Sequence, residues 1–377
     1  MSKNSTKRKN INKSQKTKKK QTNNKKIQSN KQTDEEIKSK SIDIEPIEVE
    51  STEINPEEST RERAVYMKDI CSMEHYYYKD KTQKAVLNDI TIDIYQKEVW
   101  GIIGEDEYEL KLLLEIMANV KPYESGKCVL NNRGMMRRKR RILEHMFYIG
   151  DCDMVYKNMK VLEYLMFTTN KTKKNDLDRQ EEFLNLLEEI EFSEVCLVPI
   201  NNLKPQERAI VTLLLASISK SQLIIFNLPE VDFDEKLIKV ISNIARRIRE
   251  SNKAFVIASK NSILVDRVCE KTAFLKDGKL VYKDNTENLK NELDKVIAII
   301  RTKETKKITE YLKVIYPKLG FEINEDSIYI YNDNNIKIDF NDFYRVCSKY
   351  GEDIDSIKKW NKSLYNVFKK VVEDSDL

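Results

Sequence analysis

Cysteine pairs and histidines are scarce in this chain of 377 residues. Its six cysteines form no C-x-x-C pair, and it contains only two histidines. Zinc sites and disulfide frameworks need such residues at close, regular spacing. The sequence therefore predicts no metal site and no disulfide framework, and it favours a reducing compartment.

Long apolar runs are also missing. Stretches such as LIIF and IVTLLLASI are shorter than the roughly 20 residues that a helix needs to cross a bilayer. The first thirty or so residues lack the apolar central region of a secretory signal. We therefore expect neither a membrane span nor export, and we predict a cytoplasmic location.

Charge, by contrast, is abundant and uneven. Charged residues make up 34% of the chain, and the formal net charge is +5. Residues 1–33 are rich in lysine and asparagine, and the segment after them is acidic. We predict a disordered tail over residues 1–62, because so little apolar surface cannot offset the entropy of ordering. Its basic part could contact nucleic acid or anionic lipid, although we favour a merely solvated tail.

The rest of the sequence predicts two folded domains. Over residues 63–290, short apolar strands alternate with helical segments, which is typical of an α/β domain with a mostly parallel sheet. Helical periodicity predicts a helical subdomain at about 155–218. Over residues 291–377, the order strand, helix, hairpin, helix, strand, helix predicts a small α+β domain, with the hairpin turn at 332–335.

In order and spacing, these segments resemble the nucleotide-binding subunit of an ABC transporter. VLNDITIDIYQKEVWGIIG is similar to the lead-in to that family's P-loop, KPYESGKCVLNNRG to the strand and turn that follow, and VCEKTAFLKDGKLVYKDN to the closing hairpin. The C-terminal segment resembles the tail domain of ABC-2 type drug- and antibiotic-exporter ATPases. Their Ser-Leu-Glu-x-x-Phe pattern is matched at Ser363, Leu364 and Phe368, whereas Tyr365 replaces the Glu. The resemblance implies the P-loop ATPase fold.

The P-loop of that family has lost its chemistry here. Such a loop surrounds phosphates with glycine-rich backbone, and its Lys and Ser/Thr bind phosphate and magnesium. Alignment gives the degenerate loop Gly104, Glu105, Asp106, Glu107, Tyr108, Glu109, Leu110, Lys111 and Leu112. Leu110 takes the Lys position, and Lys111 and Leu112 take the Ser/Thr positions. We predict that Lys111 faces solvent, because one residue of slip turns a helical side chain by about 100°.

Carboxylates in this position disfavour a nucleotide. A helix N-terminus favours negative charge by about 0.3–1 kcal/mol, so Glu105, Asp106 and Glu107 can satisfy the amides that would otherwise attract phosphate. A triphosphate within about 4 Å of one carboxylate would meet roughly 1–4 kcal/mol of repulsion per pair of charges. Adenine stacking in the Tyr76–Tyr78 stretch, with Tyr78 as the candidate, is worth about 1–3 kcal/mol and is not expected to prevail.

The other nucleotide-facing positions of the family are changed as well. Asn227 and Leu228 align with its magnesium-binding Asp and catalytic Glu, but an amide is a weaker ligand and leucine cannot accept a proton. Asp151 aligns with the family's glutamine, and Lys260 aligns with its switch histidine. The resemblance therefore implies that the catalytic residues are absent.

The Leu-Ser-Gly-Gly-Gln signature, which binds the nucleotide held by the opposite subunit, is degenerate too. It aligns with Leu203, Lys204, Pro205, Gln206 and Glu207. Proline removes a backbone donor, and Glu207 adds negative charge where a γ-phosphate would dock. Only the D-loop aspartate is matched, by Asp234, which could equally be a solvated loop acid.

Three functions remain open. The leading one is a pseudo-ATPase without cofactor that docks on a membrane permease, or on an intact ABC ATPase subunit, at the inner face of the cell membrane. The second is a divergent transport ATPase that uses ATP and magnesium, with Lys111 as a displaced lysine. The third is a nucleic-acid-associated protein that uses residues 1–33 and the basic run 135–141, which could equally contact anionic lipid.

Overall fold

The computed structural model describes residues 62–77, 83–131, 133–134, 145–151, 153–154, 156–169, 175–334, 336–349 and 353–373. These residues belong to one compact unit. Residues 1–61 of the predicted tail, Tyr78 and the basic run 135–141 lie outside the described ranges. The expectations attached to them stay predictions.

The elements alternate between strand and helix through most of the chain. The strands are β1 (Arg63–Ser72), β2 (His75–Tyr77), β3 (Gln83–Ala85), β4 (Ile90–Tyr95), β5 (Val99–Gly104), β6 (Tyr123–Leu130), β7 (Arg133–Gly134), β8 (Met146–Ile149), β9 (Leu223–Asn227), β10 (Ala254–Ser259), β11 (Lys271–Lys276), β12 (Lys279–Asn285), β13 (Val296–Arg301), β14 (Gly320–Asn324), β15 (Ser327–Tyr331) and β16 (Ser356–Lys359). The helices are α1 (Glu107–Met117), α2 (Val161–Thr168), α3 (Asp176–Glu189), α4 (Pro205–Ile218), α5 (Glu235–Glu250), α6 (Ser262–Val268), α7 (Thr286–Leu293), α8 (Thr305–Ile315), α9 (Phe340–Ser348) and α10 (Leu364–Glu373).

A mostly parallel sheet forms the centre of the first domain. Its order is β12-β11-β5-β10-β9-β8, and β12 alone among these strands runs antiparallel to its neighbour. The unbroken apolar sequences of β5, β9 and β10 are buried along their full length, as expected for strands covered on both faces. The predicted α/β fold with a mostly parallel sheet is confirmed.

Two apolar cores lie on opposite faces of this sheet. One contains the buried face of α1 together with the antiparallel sheet β4-β1-β6-β7. The other contains α2 to α6 and the opposite side chains of β5, β9 and β10. Helices α2, α3 and α4 fall in the stretch predicted to be helical. None of the helices in the described ranges combines the length and apolar character needed to span a bilayer.

The C-terminal domain is a four-stranded antiparallel sheet with two helices on one face. Its chain order is β13-α8-β14-β15-α9-β16, and its sheet order is β14-β15-β13-β16. This arrangement is the split βαβ fold. It confirms the predicted small α+β domain.

The predicted hairpin turn at 332–335 is wrong. β14 pairs with β15 through Asn324 and Ser327, so the turn lies at Glu325 and Asp326. Glu325 takes a φ of 50° there. The Asn332 side chain instead bonds both the amide and the carbonyl of Ile336, at 2.8 Å each, and closes a loop that leads to α9. The alternating sequence after it therefore does not add a strand, because this side chain provides the local hydrogen bonds.

The last helix, α10, returns to the first domain. Leu364 and Val367 are fully buried in the same core as α6, and the Phe368 ring lies 5.3 Å from that of Phe274. The Lys276 ammonium donates to the Val372 carbonyl at 2.6 Å. The Ser-Leu-x-x-x-Phe pattern of the sequence thus contributes the apolar contacts that fasten the chain end to the first domain.

We expect Leu364→Ala to lower the free energy of unfolding of the first domain by about 2–5 kcal/mol, because it leaves a cavity in a closed core. The neighbouring Tyr365, 58% exposed, provides the control: Tyr365→Ala should change stability by less than about 0.5 kcal/mol. Urea denaturation of both variants gives the comparison. Equal, small losses in the two variants would show that α10 is not part of this core.

Candidate functional site

The first helix begins too soon after β5 to leave room for a P-loop. Strand β5 ends at Gly104 and α1 begins at Glu107. A P-loop has four residues between its glycines before the Lys. The prediction that Glu107, Tyr108 and Glu109 lie in the loop is therefore wrong, since all three are in the first turn of α1. No glycine lies between Gly104 and Gly126 to keep the chain out of a helix, and Asp106 provides an N-cap that starts one.

The Asp106 carboxylate occupies the N-terminus of α1. Its Oδ1 accepts hydrogen bonds from the Tyr108 amide at 2.7 Å and the Glu109 amide at 3.4 Å. Its Oδ2 accepts from the Tyr76 hydroxyl at 2.9 Å. Burial, with the hydrogen bond to Asp106, raises the pKa of Tyr76. The backbone donors at the place of an anion site are thus engaged by a side chain of the same loop.

Glu109 binds a different part of the molecule. Its side chain is almost fully buried, and its Oε2 accepts a hydrogen bond of 3.0 Å from the Gly278 amide. Gly278, at φ 74°, forms the tight turn between β11 and β12, where a β-carbon would collide with the Val86 carbonyl. Burial raises the pKa of the Glu109 carboxyl. This acid therefore joins α1 to the closing hairpin of the sheet.

The positions of the P-loop Lys and Ser/Thr face two environments. Leu110 and Leu112 are completely buried in the core beneath α1. The Lys111 side chain is 38% exposed, and its ammonium lies 3.7 Å from the Glu230 carboxylate. The Lys111 side chain is therefore not fully solvated, and it does not point toward the loop before α1. It is paired with Glu230, which follows β9.

Asn227 is a buried structural link. It is fully buried, and its Nδ2 donates to the Lys111 carbonyl at 3.0 Å and to the Tyr148 hydroxyl at 2.9 Å. Its Oδ1 has no hydrogen-bond partner among the described residues. Leu228 is buried in the opposite core. These two side chains therefore connect β9 to α1 and β8, and fill a core, at the positions where the family has two acids.

A cleft of about 360 Å³ lies beside the start of α1. Its charged walls are mostly acidic, with Lys260 as the one cation, 4.0 Å from Glu107. Asp232 accepts a 2.9 Å hydrogen bond from the Asn261 side chain. The cleft is lined by Glu107, Pro229, Glu230, Val231, Asp232, Ser259, Lys260 and Asn261. Acids on both sides of such a cleft disfavour a polyanion.

Asp151 and Asp234 make local hydrogen bonds. Asp151 is exposed and accepts from the Asp153 amide at 3.0 Å. Asp234 is the N-cap of α5 and accepts from the Leu237 amide at 2.9 Å. Each therefore has a structural use within its own loop.

The signature positions form the start of helix α4. Leu203 is buried, Lys204 is the N-cap residue and Pro205 is the first residue of the helix. Gln206 is half-buried in the first turn. The Glu207 Oε2 accepts a 2.7 Å hydrogen bond from the Lys204 amide. A carboxylate of the chain itself thus binds an amide at the N-terminus of this helix too.

The contacts bring some of the predicted residues together and leave others apart. The P-loop positions are joined to Asn227 through Lys111 and to Lys260 through Glu107. The described hydrogen bonds of the other candidate positions stay within their own segments. Sequence reasoning missed three links: Tyr76 to Asp106, Glu109 to Gly278 and Tyr148 to Asn227. The start of α1 could have been predicted from the sequence, because Asp106 before an acidic first turn is an N-terminal helix pattern.

Comparisons with known proteins agree with this architecture. No family model matches the sequence. An uncharacterised ABC transporter ATP-binding protein of Methanocaldococcus jannaschii is 20% identical over 215 residues, which cover 56% of this chain and 76% of that protein. A putative ABC transporter ATP-binding protein of Listeria monocytogenes is 20% identical over 222 residues, covering 57% and 82%.

A solved structure extends the likeness to the fold. The structure of cbiO1 from Clostridium perfringens, described as part of the ABC transporter complex cbiONQ, superposes with a TM-score of 0.50 at 15% identity, covering 68% of this chain and 96% of that one. The chain has the fold of an ABC transporter ATP-binding subunit. By the sequence resemblance, the start of α1 aligns with the family's P-loop and the start of α4 aligns with its signature.

We expect Asp106→Ala to lower the free energy of unfolding by about 0.5–2 kcal/mol, because it removes the N-cap of α1. The matched control is Glu105→Ala, which removes an exposed acid one residue earlier and should change stability by less than about 0.5 kcal/mol. Chemical denaturation of both variants makes the measurement. An Asp106→Ala variant as stable as the parent protein would contradict the capping role.

Proposed function

We propose that this chain is a non-hydrolysing ABC-type subunit, a pseudo-ATPase, that docks on a membrane permease or on an intact ABC ATPase and regulates or scaffolds it. The observation that carries the proposal is that the chain's own carboxylates bind amides at two helix N-termini. Asp106 accepts from the Tyr108 and Glu109 amides in the first turn of α1, and Glu207 accepts from the amide of Lys204, the N-cap residue of α4. In the family these two helix starts contact the phosphates of ATP. Here Asp106 occupies the first of them, and Glu207 binds one amide at the second.

The residues at the site do not fit ATP with magnesium. Between Gly104 and α1 there are two residues, Glu105 and Asp106, where a phosphate-binding loop needs a longer glycine-rich segment. The metal-binding hydroxyl is missing, and Asn227 offers a neutral amide oxygen where magnesium prefers a carboxylate. Leucine at 228 cannot activate water. A nucleotide would have to displace Asp106 and accept the repulsion of the acids around it.

A permease partner is supported by the likeness to transporter subunits and by one exposed surface. The curated relatives are named as ABC transporter ATP-binding proteins, and cbiO1 is described as part of a transporter complex.

On the helical subdomain, the rings of Tyr156 and Phe167 lie 4.8 Å apart in an edge contact, with exposures of 44% and 47%. Tyr164 is next to them. Exposed aromatic clusters are typical of protein interfaces. This aromatic patch is our candidate for the docking surface, and it would place the protein at the inner face of the membrane.

We expect purified full-length protein to bind ATP with magnesium no more tightly than millimolar in a calorimeter, and to show no ATP hydrolysis, because acids occupy the phosphate position. Saturable micromolar binding would contradict the proposal. If turnover were detected, Lys111→Ala would separate the alternatives, since a divergent ATPase with a displaced lysine predicts its loss. Insensitive turnover would indicate a contaminating enzyme.

We expect the double change Tyr156→Ser and Phe167→Ser to reduce retention of the protein on membranes by about tenfold or more, because exposed aromatics often dominate an interface. The membranes carry the permease whose gene lies nearest to the gene of this chain. Tyr344→Ser is the control, an exposed tyrosine on α9 of the C-terminal domain. Co-sedimentation with and without co-expressed permease gives the readout. Equal retention of the double variant and the parent protein would exclude the aromatic patch as the docking surface.

A further inference from the structure

One face of the C-terminal sheet packs against α8 and α9, and the other does not. Alternate residues of β13 and β15, among them Ala298, Ile300, Ile328 and Ile330, are buried against α8 and α9. The strand registers place the residues between them on the opposite side. We call this side the open face. It carries Ile299, Arg301, Glu322, Tyr329, Tyr331 and Lys358 as its principal side chains.

Two tyrosines stand on the middle of the open face. Tyr329 and Tyr331 are two residues apart on β15, an interior strand, so both rings point to the same side of the sheet. Both are half-buried. RNA recognition domains stack two or three bases on aromatic rings of a four-stranded βαββαβ sheet. Here one of the two interior strands, β15, presents such rings. Aromatic faces of this kind bind bases of any sequence.

The rings are held in fixed positions before any ligand arrives. The ring of Trp360, just after β16, lies 6.5 Å from that of Tyr329 at an angle of 70°. Its indole N–H donates to the fully buried Asp294 carboxylate at 2.6 Å. The Tyr331 hydroxyl donates to the Glu322 carboxylate at 2.5 Å. Since these side chains are already ordered, stacking on them loses little conformational entropy.

Cations surround the aromatic rings. Arg301 on β13 and Lys358 on β16 are exposed, and neither takes part in an ion pair within the described residues. The Lys370 ammonium lies 5.8 Å from the centre of the Tyr331 ring, but it is already paired with the buried Asp294 carboxylate at 3.9 Å. Glu322 is the one acid among the principal side chains of the open face, and it is engaged by Tyr331. The charge of the open face is therefore complementary to phosphate groups beside stacked bases.

The remaining side chains of the open face are polar. Asn324, Ser327, Arg301 and Ser356 form one row across the four strands. Of the six principal side chains, Ile299 alone is aliphatic. A second sheet would require an apolar face to pack against. The composition thus favours a polar, anionic ligand with flat rings over a protein layer.

We propose that the open face binds single-stranded nucleic acid, with two or three bases stacked on Tyr329, Tyr331 and Trp360 and the phosphates beside Arg301 and Lys358. RNA and DNA share this chemistry, and separate probes distinguish them. This site is distinct from the basic segment 1–33, which lies outside the described residues.

The test uses the full chain and labelled ten-nucleotide single strands of RNA and of DNA in an anisotropy titration. We expect saturable binding of at least one strand, weakened about 5-fold to 100-fold by Tyr329→Ala, because one stacked base is lost. Tyr329→Phe keeps the ring and should change the affinity less than about twofold. Tyr344→Ala, on the helical side of the same domain, should leave it unchanged. A circular dichroism spectrum and melting curve of Tyr329→Ala that match those of the parent protein show that a loss of binding does not come from misfolding.

Three results would overturn the proposal. The first is no saturable binding of either strand. The second is binding of equal strength in the parent protein and Tyr329→Ala, with a steep salt dependence and no preference over a duplex, which would assign it to the lysines of residues 1–33. The third is self-association that Tyr329→Ala abolishes without any effect on nucleic acid, which would assign the open face to a second copy of the chain.

Discussion

The hydrogen bonds from the Tyr108 and Glu109 amides to the Asp106 carboxylate constrain everything else at the candidate site. They start α1 only three residues after Gly104, and so they remove the space in which a phosphate-binding loop would lie. The second oxygen of Asp106 accepts a hydrogen bond from the Tyr76 hydroxyl. With the helix started there, its buried leucines enter the core and Glu109 reaches the closing hairpin.

The same physical device recurs where the family has its signature. Glu207, in the first turn of α4, reaches back to the Lys204 amide, whereas Asp106 lies before α1 and accepts from amides of its first turn. A helix N-terminus attracts any nearby negative charge, and a tethered carboxylate competes with a diffusing phosphate at high effective concentration. The ABC fold does not require a nucleotide for these helices to be satisfied.

Much of the fold could be predicted from the sequence. Buried parallel strands have unbroken apolar sequences, and helices have apolar residues at a spacing of three or four. The order of the segments was sufficient to predict the ABC fold. The order of strands and helices after residue 290 was sufficient to predict the α+β domain. The start of α1 was misplaced because alignment to a P-loop overrode the local capping pattern at Asp106. The hairpin turn was misplaced because the Asn332 side chain closes a loop that sequence alternation does not reveal. The links of Tyr76, Glu109 and Tyr148 join residues far apart in the chain, and no local pattern encodes them.

The central claim is that the chain's own carboxylate holds the N-terminus of α1. It is tested most directly by a crystal structure obtained after soaking with a non-hydrolysable ATP analogue and magnesium. Our account predicts unchanged hydrogen bonds from the Tyr108 and Glu109 amides to Asp106, and no polyphosphate beside Gly104. Polyphosphate bound to those amides, with the Asp106 side chain turned away, would contradict it.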